Sequence, residues 1–163
     1  MKLEPATQAE VYEVAVSMRD QDWREFSAIR FEETRAEMAA ALAAAYGGRE
    51  DVLCVRAADG DAVAIGGFIM GRPNVVSLLL FATDALPKVG LPLTRFIRRF
   101  LFPALEARGV HRIEAVSLAS YTETHDWMAT LGLQPETPPM LNYGRDGQAF
   151  IQFARINARP SGA

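Results

Sequence analysis

Val75-Val76-Ser77-Leu78-Leu79-Leu80-Phe81, followed by Leu86-Pro87-Lys88-Val89-Gly90-Leu91-Pro92, is the stretch of this chain whose reading decides the fold. The first seven residues are an apolar run of strand length, and the loop after them is punctuated by proline and glycine. Phe96, Ile97, Phe100 and Leu101 then recur at helical spacing, predicting an amphipathic helix as far as about residue 108, with these four toward a sheet and Arg95, Arg98 and Arg99 outward. A second strand over 110–118 and a short helix closed by Gly132 complete the segment. Two strands joined by a helix of this length make a βαβ unit, whose strands lie parallel. Small ligands bind in such units at the strand C-termini, beside the start of the helix.

Working outward, residues 2–4 read as a short strand, and Thr7-Gln8-Ala9-Glu10 is a capping box. Val11, Val14, Ala15 and Met18 extend the helix it opens. A second helix is expected within 19–31 and an alanine-rich third over 32–46, ended by Gly47-Gly48. Strands over 51–57 and 62–70 flank Asp59-Gly60, a strong hairpin signal. Gly66-Gly67 inside the second of them implies a bulge or a close neighbouring backbone. Beyond Gly132, residues 135–139 form a proline-rich link to a closing hairpin, 140–143 with 148–156, turned by Arg145-Asp146-Gly147. Residues 1–156 are expected to form a single domain, and the small polar residues 157–163 a flexible tail.

The chain of 163 residues is 50% apolar and 23% charged, an ordinary globular composition large enough for one core. A net charge of -3 gives no bulk electrostatic support to nucleic-acid binding, and no apolar run approaches the ~18 residues of a membrane span. A cytoplasmic protein is expected. Cys54 lies in an apolar strand and reads as a buried small residue. Two histidines and one cysteine offer no metal-ligand spacing, so no metal is expected.

The order strand, helices, three antiparallel strands, helix, strand, helix, two strands resembles the GNAT superfamily of acyl-CoA-dependent N-acyltransferases. The resemblance covers nearly the whole chain and implies an α/β (α+β) fold with a mixed, mostly antiparallel, splayed sheet flanked by helices. It implies acetyl-CoA or another acyl-CoA as cofactor and an amine acceptor, small molecule or protein. Lys88-Val89-Gly90-Leu91-Pro92-Leu93-Thr94 stands where the family has a glycine-rich pyrophosphate loop. Lys88, Val89, Gly90, Leu91, Leu93 and Thr94 are therefore the expected cofactor contacts, with Phe81, Ala82 and Thr83 supplying a strand amide to the thioester carbonyl. Leu131-Gly132-Leu133 matches the family's closing motif, but Met128 stands in place of its proton-donating tyrosine and Tyr121 in place of its asparagine. Met128 has no proton to give.

Three further stretches are similar to a branch of small GNAT-like proteins of short-tailed phages, described as internal virion or assembly proteins and as acetyltransferases. They are residues 18–26, Phe81-Ala82-Thr83-Asp84, and Tyr143-Gly144-Arg145-Asp146-Gly147-Gln148-Ala149-Phe150. That likeness implies a protein of the host cytoplasm or the virion, with phage structural proteins as partners and an oligomer in view. Two activities stay open: acyl transfer from the thioester to an amine, or a catalytically degenerate scaffold. For the former the base would be Asp84, at a strand end beside the proposed pocket, Glu114 on a short strand, or His125 on the last helix. Asp84 also has an ordinary reading as a turn former, and His125 as a surface or capping group.

Overall fold

In a computed structural model of the protein, residues 1–157 are described. Contacts divide the chain into two compact units, one of Met1–Phe68 with Leu79–Leu93, the other of Ile69–Leu78 with the chain from Thr94 onward. Backbone hydrogen bonds join seven strands in the order β1-β2-β3-β4-β5-β7-β6, with β3 (Ala62–Arg72) and β4 (Val75–Ala82) passing through both units. The β1–β2, β2–β3, β5–β7 and β6–β7 ladders are antiparallel and β4–β5 is parallel, as the βαβ reading requires. The chain therefore has the expected mixed, mostly antiparallel sheet flanked by helices.

In the first unit, β1 (Lys2–Pro5) leads to α1 (Gln8–Val16), whose capping box is formed as read: Glu10 N–H donates to the Thr7 hydroxyl, and Thr7 N–H to the Glu10 carboxylate at 2.8 Å. α2 is Asp20–Ile29 and α3 is Arg35–Tyr46. The third helix starts three residues later than expected because Thr34 and Glu37 make a second capping box that fixes its first turn. α1 packs on α3, burying Val11, Val14, Met38 and Leu42 completely, each worth roughly 1.5–3 kcal/mol. β2 is Val52–Arg56, and in its ladder Val52 faces Gly67. A Cβ on Gly67 would lie 2.1 Å from the Asp51 carbonyl oxygen, so close backbone approach is what that glycine serves.

The expected central helix is three pieces, its first turn in the first unit and the rest in the second: α4 (Gly90–Phe96), a π turn (Ile97–Leu101) and α5 (Phe102–Ala107). Pro103 explains the π turn. It has no N–H for the carbonyl four residues back and its ring crowds that carbonyl, so the helix widens just before it and Phe102 N–H bonds to Ile97 O. The widening shifts the helical phase. Ile97 is buried as expected, but Phe100, expected toward the sheet, is 64% exposed.

β5 (Arg112–Leu118) pairs along its whole length with β7 (Phe150–Ile156), and α6 (Thr122–Leu131) ends in Gly132, left-handed at φ 88°. The closing hairpin differs from its expectation. The second partner of β7 is β6 (Gln134–Pro135), inside the proline-rich link, while Met140 makes one isolated bridge to Phe150. Asn142 at φ 55° turns the chain out of extended geometry, so 140–143 cannot continue as a strand. Asn157 N–H is bonded to His111 O; the rest of the expected tail, 158–163, lies outside the described residues.

Candidate functional site

The end of β4 is held by the start of α2. Ala82 N–H donates to the Asp22 carboxylate at 2.8 Å, and Ala82 O accepts from Arg19 N–H at 2.8 Å. Arg19 also grips Asp22 through two guanidinium bonds of 3.0 and 2.6 Å. Asp22 is 8% exposed and fully engaged, as a buried carboxylate must be. Thr83 N–H donates to Val63 O of β3 at 2.9 Å. Phe81 is fully buried, its ring edge-on to Phe26 at 5.6 Å. Of the three positions expected to offer an amide to a thioester, Phe81, Ala82 and Thr83, the last two thus already serve internal acceptors.

Successive strand N–H groups point to opposite edges. Since Thr83 donates toward β3 and Ala82 away from it, Leu80 N–H shares the Ala82 edge. The β4–β5 ladder runs from Val75 opposite Arg112 to Ser77 opposite Glu114, three residues short of Leu80. Leu80 is thus the candidate donor on that edge, a residue sequence reasoning did not weigh. Strand phase decides it, and phase is set by pairing that the sequence does not display.

From Thr83 the chain turns through Asp84, which is exposed, and a 3₁₀ turn (Leu86–Lys88) into α4. Val89 is buried, and its carbonyl accepts the first helical bond, from Leu93 N–H at 2.8 Å. Pro92 lies in the first turn, where its missing N–H has no intrahelical partner to lose. A Cβ at Gly90 would meet nothing within 4 Å, so the backbone of that turn faces open space. Leu93 turns its side chain inward, and Thr94 accepts the Trp127 indole N–H on its hydroxyl at 2.8 Å. Lys88 is engaged by the β2–β3 turn: Nζ is 2.8 Å from Asp59 and 3.9 Å from Asp61, and the Asp59 bond raises its pKa. The hairpin holds the charge expected at a phosphate.

His125 is the fourth residue of α6, which Tyr121 precedes. Its Nε2 lies 3.0 Å from Leu118 O and its ring 4.8 Å from Phe153. The ring nitrogen nearest the strand therefore joins helix to sheet. Met128 is buried in the same helix. Burial raises the Cys54 pKa to about 11, which keeps that thiol protonated and inert.

The gathered features of the first unit are an amide edge at Leu80 and an open first turn at Gly90, separated by the nine residues Phe81 to Val89. Comparison with models of known protein families gives no match, and comparison with curated protein sequences gives none either. Solved structures do match: the chain has the fold of the GNAT acetyltransferases. The ribosomal-protein-alanine N-acetyltransferase of Brucella melitensis superposes with a TM-score of 0.70 at 16% identity, covering 96% of this chain and 99% of its own. The Escherichia coli ribosomal-protein-S18-alanine N-acetyltransferase gives 0.67 at 17% identity, over 99% and 97%. A Salmonella typhimurium structure solved with its cofactor acetyl-CoA gives 0.69 at 16% identity, over 100% and 97%.

Proposed function

We propose that this protein binds an acyl-CoA and transfers its acyl group to an amine, as an N-acyltransferase of phage type. The observation that carries the reading is the open face over Gly90 in the turn from β4 into α4. Backbone N–H groups at a helix start suit a pyrophosphate, and a Cβ on Gly90 would meet no atom within 4 Å. The residues that would hold the cofactor are Gly90 and Leu91 through backbone atoms, with Leu80 N–H donating to the acyl carbonyl; Val89 N–H, also expected there, already donates to Leu86 O at 3.0 Å. Bound there, the thioester would supply the activated carbonyl for the amine; the C–N bond forms as the C–S bond breaks, and coenzyme A would leave as its thiolate and take a proton from solvent. Asp84, exposed at the end of β4, is the base available to take the amine proton; His125 would need to give up its contact with Leu118.

The test is thermal melting with acetyl-CoA, read for the intact chain and for Gly90→Leu. Ligand at about 100 times its dissociation constant should add ~2.7 kcal/mol of stability. The Gly90→Leu chain should fold, since its Cβ meets nothing, and lose the shift. No shift in the intact chain at millimolar acetyl-CoA would reject the reading.

A second reading has its own support. Ala82 and Thr83 give their amides to internal acceptors, and Met128 replaces a proton donor, which suits a scaffold that no longer catalyses. On that reading the protein is a virion or assembly component in a phage-infected cell. Stoichiometric recovery from purified particles, with no acyl transfer to any amine tried, would favour it.

A further inference from the structure

Most arginines of this chain are matched to carboxylates: Arg30, Arg35, Arg49, Arg72, Arg112 and Arg155 each reach one within 3.0 Å. Besides the scattered Arg24 and Arg108, three neighbours depart from that pattern. Arg95, Arg98 and Arg99 are all exposed on α4 and the π turn, and among the described residues none has a carboxylate partner. Phe100 stands beside them, 64% exposed and stacked on Phe96 with ring centroids 6.1 Å apart. Arginine around an exposed phenylalanine stacked on a half-buried one is the composition of a binding hot spot.

The complementary composition occurs on the same chain. Phe31, between α2 and α3, is 99% exposed, and with Glu32, Glu33 and Glu37 it lines one shallow depression. Arg30 and Arg35 against those three carboxylates leave residues 30–37 at -1. The loop is also rigid. Arg30 holds Glu32 by bonds of 3.1 and 3.0 Å, and Glu37 accepts the N–H groups of Glu33 and Thr34 at 3.1 and 3.0 Å. An aromatic side chain presented on a braced, acidic loop loses little entropy on docking.

We propose that the Phe31 loop of one copy docks on the Arg95, Arg98, Arg99 and Phe100 surface of a second copy. Phe31 packs against the Phe96–Phe100 pair and the arginines face Glu32 and Glu33. A nucleic acid is a poorer occupant for the arginines in a chain of net charge -3. The contact is small and rich in charge, so the association is weak and falls with salt.

Sedimentation velocity over a concentration series, at about 50 mM and about 500 mM salt, tests this. The intact chain should associate with rising concentration at low salt and dissociate at high salt. Arg98→Glu/Arg99→Glu and Glu32→Lys/Glu33→Lys, each melting like the intact chain, should both stay monomeric, and their equimolar mixture should associate again. The proposal is overturned by an intact chain that is monomeric throughout, by variants that associate as it does, or by a mixture that stays monomeric. It is equally overturned if the intact chain stays monomeric but binds a single-stranded oligonucleotide through Arg98 and Arg99.

Discussion

Asp22 carries more of the local structure than any other charged side chain near the candidate site. It satisfies Ala82 N–H and two Arg19 donors at once from a site 8% exposed. Removing it leaves Arg19 half-buried and an amide unbonded, so Asp22→Ala should cost about 3 kcal/mol in a urea titration. Cys54 should resist a thiol reagent in the native protein at pH 8 and react fully once unfolded, because burial holds its pKa near 11. Glu10 has its pKa lowered by the Thr7 backbone bond, with the Thr7 hydroxyl and Arg56 adding to it. A carboxylate lowered on folding stabilises the protein above the ordinary glutamate range, and that contribution disappears as pH falls through the lower folded value. Glu10→Gln should therefore flatten the acid limb of the urea midpoint plotted against pH.

At the scale of elements, Gly67→Ala should destabilise the protein by roughly 2–3 kcal/mol, since the new Cβ must displace the Asp51 carbonyl from the neighbouring strand. Gly66→Ala, whose Cβ would meet the Leu80 side chain at 3.3 Å, should cost less; equal losses in a paired urea titration would contradict the backbone explanation. Elements whose signals are local could be read from the sequence: the Thr7 capping box, the Asp59-Gly60 turn and the βαβ segment all stand where expected. Those decided by partners could not. Gln134 and Pro135 carry no strand signal of their own and become β6 because β7 offers an edge. Phe100 turns outward because Pro103, three residues on, widens the helix ahead of it. The site shows the same division: Gly90 is conspicuous in sequence, whereas the choice of Leu80 over Ala82 depends on which edge of β4 each amide faces.

For the whole molecule, the seven-stranded sheet with one parallel ladder explains why the chain superposes on acetyltransferases at 17% identity or less. Apolar spacing and turn chemistry preserve such a fold while the residues that act on a ligand change freely. The central claim is that acyl-CoA lies along the Leu80 edge and over the Gly90 turn. Amide chemical shifts of the labelled protein, followed during titration with CoA and then with acetyl-CoA, test it most directly. Gly90 and Leu91 should move with both ligands and Leu80 only with the acylated one. Amides of residues 79–94 that stay unmoved at millimolar acetyl-CoA would contradict it.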